Sequence, residues 1–122
     1  MAMYIINSGR MANPKLNDRM IEHAARRFRA LGEPQRLRIL RILEDGPHPV
    51  GEIVVKLNGN QPNISRHLQA LTLAGLTSRR RDGNSIYYSI ADPMVSKLCS
   101  LVCHNAEKEA EKELKAIRAG RS

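Results

Sequence analysis

Hydrophobic positions recur at helical spacing over most of the chain and switch once to strict alternation. Leu16, Met20, Ile21, Ala24, Ala25, Phe28 and Leu31 return every three or four residues up to Gly32, behind an Asn13-Pro14 pair that offers an N-cap and a first-turn proline. This spacing predicts an amphipathic first helix. Glu33-Pro34 restarts the chain, and Leu37, Ile39, Leu40, Ile42 and Leu43 leave little polar face before Asp45-Gly46-Pro47, so the second helix belongs at the centre of the core. Val50, Ile53, Val54 and Leu57 predict a short third helix closed by Asn58-Gly59, residues that tolerate a left-handed backbone. Asn60 then caps a fourth, with Pro62 near its start, Ile64, Leu68 and Leu71 as its buried stripe and Gly75 at its end.

From Leu76 the period falls to two. Leu76, Ser78 and Arg80 alternate with Thr77, Arg79 and Arg81, Asp82-Gly83-Asn84 turns the chain, and Ile86, Tyr88 and Ile90 alternate with Tyr87 and Ser89 on the return. The pattern is a two-stranded hairpin with a basic, polar tip. Asp92-Pro93 opens a long last helix carrying Val95, Leu98, Val102, Ala106, Ala110, Leu114 and Ile117 on one seam. Met94, Cys99, Leu101 and Cys103 widen that seam in its first half beyond what one small core needs. With Met20, Ala24 and Phe28 of the first helix, this surplus apolar surface calls for a second copy of the chain.

A chain of 122 residues buries one core, and no stretch approaches the roughly 20 apolar residues of a spanning helix. Residues 1 to 15 have no basic start and no secretory apolar run, so the expected address is cytoplasmic, with no membrane. The layout read from these patterns is a flexible N-terminal segment over 1–13, one domain over 14–118 and a tail over 119–122. Lys and Arg number 20 against 12 Asp and Glu, a net charge of +8 that favours a polyanionic partner through counterion release. Aromatics make up only 3% of the chain, too few for the stacking platforms that hold single strands, which favours duplex DNA. Charge alone leaves open a solvated basic surface with no specific partner.

The order of elements narrows the choice. A short helix, a Gly-containing turn and a second helix with one apolar stripe form a helix-turn-helix, and a hairpin directly after it makes the winged version. The fold expected is mostly α with a two-stranded β wing. If Ile64, Leu68 and Leu71 face inward, Gln61, Asn63, Ser65, Arg66 and Gln69 project near the helix start, where a recognition helix meets base edges. Arg clamps guanine O6 and N7, Gln or Asn clamps adenine N6 and N7, and Ser bonds base or phosphate. In the hairpin, alternation sends Arg79 and Arg81 to one side and Arg80 to the other, so only some reach phosphates or the minor groove. Arg26, Arg27, Arg29, Arg36, Arg38 and Arg41 read as ordinary helix-surface charge.

The runs Ala30-Leu31-Gly32-Glu33-Pro34-Gln35-Arg36-Leu37-Arg38-Ile39-Leu40, Gln61-Pro62-Asn63-Ile64-Ser65-Arg66-His67-Leu68, Ala74-Gly75-Leu76 and Tyr87-Tyr88-Ser89 resemble the ArsR/SmtB family of winged-helix repressors over roughly Phe28 to Val102. The resemblance implies a homodimer, paired through first and last helices, that binds an operator palindrome in double-stranded DNA and releases it when an effector arrives. It places Gln61, Asn63, Ser65, Arg66 and His67 on the DNA-reading helix and Asn84 at the wing tip. One departure is Gly59, where such repressors usually carry an apolar residue. The family's thiolate site in the central helix has no counterpart between Leu37 and Leu43, and its interfacial zinc site is broken, with Asp92 present but Met94, Asn105 and Lys108 at the other positions. His104 falls one residue from the matching place, about 100° around the helix, and reads as surface or interface. His23, His48 and His67 share no ligand spacing; His67 reads either as a donor near phosphate or as a packed helix residue.

Cys99 and Cys103 form one C-x-x-x-C, which is no disulfide framework and fits a reducing compartment. A helix puts both thiols on one face, one turn apart. Two readings stand. They are small apolar packers, or they are an effector site for arsenite, antimonite or a soft divalent metal, or for an oxidant. As a zinc site two thiolates are incomplete, and His104 or a residue across the dimer would have to finish it. No catalytic constellation competes, since Ser65 and His67 are helix neighbours rather than an aligned nucleophile and base, and no phosphate loop or H-E-x-x-H occurs. The other non-enzymatic readings are a winged-helix repressor without effector, and a helical protein-interaction module whose basic faces serve only solubility.

Overall fold

In a computed structural model the chain forms α1 (Pro14–Leu31), α2 (Pro34–Leu43), β1 (His48–Pro49), α3 (Val50–Leu57), α4 (Gln61–Leu73), β2 (Thr77–Asp82), β3 (Ser85–Ile90) and α5 (Pro93–Arg121). The structure describes the backbone over 14–121 and side chains over 17–120; the segment read as 1–13, the Asn13 cap, the Leu16 side chain and Ser122 lie outside the described residues. The helices start and stop where their chemistry predicts. Pro34 begins α2 with the Glu33 carboxylate accepting from the Gln35 N–H at 3.1 Å, and Asn60 caps α4 by accepting from the Asn63 N–H at 2.9 Å. α3 ends on Asn58 in the left-handed region at φ 50°, with the Gly59 N–H closing back on Val54 O. α4 ends on Gly75 at φ 77° in the same way, the Leu76 N–H reaching Leu71 O at 2.9 Å. α5 continues to Arg121, through residues read above as a tail.

The core gathers Ile39, Leu40 and Leu43 from α2, Ile53 from α3, Ile64, Leu68 and Leu71 from α4, then Leu76, Tyr88 and Val95. The α2 stripe is central, as its sequence implies. The sheet differs from expectation: it has three strands in the order β1-β3-β2, because His48 and Pro49 pair antiparallel with Tyr88 and Tyr87 along the outer edge of β3. Pro49 has no N–H to extend that ladder, so it stays short and at an edge. The wing itself has the expected register, Thr77 opposite Ile90 through Asp82 opposite Ser85. Its Gly83-Asn84 loop carries φ 65° at Gly83, the pattern of a type II′ turn.

The first-helix stripe does not find cover among the described residues. Phe28 is 63% exposed and Val102 of α5 61%, and an apolar groove of about 590 Å³ runs between α1 and α5, lined by Met20, Phe28, Leu31, Leu76, Met94 and Leu98 among others. Among the described residues no helix is long and apolar enough to cross a membrane.

His48 ties the strand of the outer edge to both of its neighbours. Its Nε2 lies 2.8 Å from Asp45 Oδ1 and its Nδ1 2.6 Å from Glu52 Oε1, so both nitrogens face carboxylates and the protonated ring donates to both. The hydrogen bond to Asp45, then that to Glu52, raises the His48 pKa above its usual 6.5; the hydrogen bond from His48 lowers Asp45 below 3.8. The His48 contribution to stability is therefore complete below pH 6.5 and lost as pH rises through the raised value, while that of Asp45 is complete above 3.8 and lost as pH falls. The melting-temperature gap between wild type and His48→Gln should be widest between those two values and close on either side. A gap that stays constant from acid to alkaline pH would mean that the imidazolium clamp contributes nothing.

Candidate nucleic-acid interface

α4 presents one face by burying the other. Ile64, Leu68 and Leu71 have no solvent exposure, and at about 100° per residue Arg66 and Gln69 stand opposite them. Gln61 and Ser65 lie on one flank with Thr72, whose hydroxyl meets Thr77 of the wing at 2.9 Å; Asn63 and His67 lie on the other, toward α2. Gln61, Arg66 and Gln69 are exposed, and Asn63, Ser65 and His67 are half-buried. Arg66 does not sweep freely, because its Nη2 donates to Asn63 Oδ1 at 2.8 Å. The two side chains form a preset donor and acceptor group at the helix start.

The turn before α4 accounts for Gly59. A β-carbon there would stand 3.2 Å from Ile64 Cδ1 and 3.3 Å from Cγ1, so glycine leaves the space that the fully buried Ile64 fills. An apolar residue at this place needs a smaller or shifted neighbour.

In the wing, Arg79 pairs across from Tyr88 and Arg81 from Ile86, while Arg80 pairs with Tyr87 on the opposite face. Thr77, on the same face as Arg79 and Arg81, packs against α4 through Thr72. Arg79 and Arg81 therefore continue the side of the wing turned toward the reading helix, beyond the end of the core, and both are exposed. Asn84 sits exposed in the tip loop. None of the arginines of α2, α4 or the wing forms an ion pair among the described residues. Their charge is left for an outside anion. Arg36 is an exception to its reading as plain surface charge: its Nε donates to His67 Nδ1 at 3.1 Å and its Nη1 to Ala30 O at 3.3 Å. His67 is thus the packed helix residue of the two alternatives on its Nδ1 side.

The two cysteines are free thiols, both half-buried, in a cleft of about 470 Å³ between α2 and α5. Leu37, Arg41 and Glu44 line it from α2, and His104 and Glu107 join the thiols from α5. Burial first, then Cys103 and Glu44, push the Cys99 thiol up, so it stays protonated at neutral pH. Among the described residues no group of three or more His, Cys, Asp or Glu is placed to hold a metal ion.

Residues 33–78, which span the helix-turn-helix and the first wing residues, match the family model "Bacterial regulatory protein, arsR family". The chain is 40% identical over 87 residues to the probable mercury resistance operon repressor of Streptomyces lividans, covering 70% of each protein. The chain belongs to the ArsR family. This ArsR-family chain is also 42% identical over 82 residues to an uncharacterized HTH-type transcriptional regulator of Methanocaldococcus jannaschii, covering 66% of this chain and 92% of that protein. Among solved structures it is similar to the homodimeric winged helix-turn-helix DNA-binding domain of a possible ArsR-family transcriptional regulator from Mycobacterium bovis. There the TM-score is 0.76 and the identity 33%, over 83% of this chain and 94% of that one. As an ArsR-family protein the chain is a DNA-binding transcriptional regulator and not an enzyme.

Proposed function

We propose that the chain is a homodimeric repressor that reads an operator in double-stranded DNA through α4 and is released by a thiol-directed effector. The observation that carries the DNA reading is that Arg66 on the outward face of α4 and Arg79 with Arg81 on the wing face that packs against the Thr72 flank of α4 are exposed and, among the described residues, have no acidic partners. Arg66, Gln61, Gln69 and Ser65 supply base-edge chemistry, and the wing arginines supply phosphate or minor-groove contacts. Replacing Ser65 and Arg66 by Ala should remove sequence discrimination, at about 1 to 3 kcal/mol per good base contact. Arg81→Ala should weaken all sequences alike and lower the log-log salt slope by about one. Titrations on selected and random duplexes at several salt concentrations check both. Equal loss on both duplexes for the Ser65 and Arg66 variant would argue against base reading.

The open groove between α1 and α5 supports the dimer. A second copy of the same two helices, related by a two-fold axis, would cover Met20, Phe28 and Val102 and set two reading helices at palindromic half-sites. Introducing a charge at Phe28 or Val102 should release monomers at micromolar concentration, read by light scattering; a monomeric wild type would sink the proposal.

Cys99 and Cys103, sharing a cleft with His104 and Glu107, are the ligands we assign to an effector of soft chemistry, arsenite, antimonite or a soft divalent metal. The family membership and the similarity to the probable mercury resistance operon repressor of S. lividans support this class of effector. Because the Cys99 thiol is pushed up, ligation displaces a proton, and apparent effector affinity should rise with pH. Arsenite, cadmium and zinc titrated into the DNA complex should dissociate wild type and leave the Cys99→Ser, Cys103→Ser variant bound. If both respond alike, or neither does, the thiols are packing residues.

A further inference from the structure

Arg36 stands at the junction of three helices, and each of its bonds meets a need that nothing else among the described residues fills. Ala30 O is among the last carbonyls of α1, and its helical partner would be the N–H of residue 34, which is Pro34 and has none. Arg36 Nη1 supplies the donor and places a cation at the negative end of the α1 dipole. On its other side Arg36 Nε donates to His67 Nδ1. A ring nitrogen that accepts a hydrogen bond is unprotonated, so the neutral ring carries its proton on Nε2. Among the described residues nothing accepts from that Nε2–H.

His67 sits on the flank of α4, one turn after Asn63, rather than on the outward line of Arg66. In a helix lying in the major groove the outward line meets base edges and the flanks meet the sugar-phosphate walls. We propose that Arg36 is a positioning residue for DNA binding: it holds the His67 ring so that Nε2–H donates to a backbone phosphate of the duplex. The proposal rests on the DNA reading of α4. It gives His67 a signature unlike that of the wing arginines. A neutral donor releases no counterion, so its loss lowers affinity for selected and random duplexes by the same factor and leaves the salt slope unchanged.

The ring nitrogen NMR shifts of His67 test the tautomer without DNA. They are expected to report the Nε2–H form in wild type and a mixture in Arg36→Lys, which keeps the cation near Ala30 but has no Nε–H to offer. Two variants test the contact on a duplex selected from a randomised pool and on an unselected one. His67→Asn keeps an acceptor for Arg36 and loses the distal donor; binding to both duplexes should fall about three- to tenfold, the worth of one hydrogen bond, with the salt slope intact. His67→Gln keeps a distal N–H and should retain most of the affinity. An Nδ1–H ring in wild type, an unaffected Asn variant, or a Gln variant as weak as the Asn variant would each overturn the proposal. Failure of wild type to bind either duplex would instead overturn the DNA reading on which it rests.

Discussion

The reading helix is held by its own buried stripe, and the rest of the DNA-binding head is arranged to cover that stripe. Ile64, Leu68 and Leu71 are fully buried against Ile39, Leu40 and Leu43 of α2 and Ile53 of α3, and Leu76 closes the far end after the Gly75 turn. Truncating one such side chain to Ala costs about 2 to 5 kcal/mol, against about 5 to 15 kcal/mol for the stability of a whole domain. An exposed polar contact such as that between Arg66 and Asn63 contributes about 1 kcal/mol or less. Burial therefore fixes which way α4 is rotated, and the polar side chains only refine where each donor points. Gly59 belongs to this same constraint, since the room it leaves is taken up by Ile64.

The electrostatics of the head follow from what the core does not need. Arginines stand on α2, the outward face of α4 and one strand of the wing, and among the described residues none of them forms an ion pair, although Glu33, Glu44 and Asp82 belong to or flank the same elements: Glu33 caps α2, and Asp45 and Glu52 are engaged with His48. A surface arginine left without a partner remains hydrated and surrounded by counterions, and a phosphate backbone displaces those ions with a gain in entropy. The same placement would contribute little to stability, which is why it is informative about partners rather than about folding.

The helices were legible because local and long-range signals agree at each of them. Pro34 and Pro62 at first turns, Asn60 as cap, Asn58 and Gly75 as left-handed stops and an apolar stripe between them all mark the same boundaries. The wing was legible from its period of two. β1 was not, because two residues ending in proline carry no periodic signal and pair only where the edge of β3 happens to lie. Nor was Arg36: beside Arg38 and Arg41 in the sequence it looks like its neighbours, and only the packing of α2 between α1 and α4 singles it out. The first helix shows the converse. Its stripe is plain in the sequence, yet Phe28 remains exposed, because an amphipathic pattern states that a face needs cover without stating that the cover comes from the same chain.

α2 gives this arrangement its mechanical logic. Leu37, Arg41 and Glu44 form one wall of the thiol cleft, and Arg36, one residue before Leu37, grips both the end of α1 and the ring on α4. If a ligand held by Cys99 and Cys103 repacks α5 against α2, α2 cannot shift without straining the contacts of Arg36 on either side. The coupling required is small: about 1 to 3 kcal/mol of differential affinity changes binding by about 5- to 150-fold. One or two hydrogen bonds to a charged guanidinium, each about 1.5 to 3 kcal/mol, are on that scale. The buried stripe of α4, several times stronger, would stay intact while the reading surface changes, so release from DNA would not demand unfolding of the head that reads it.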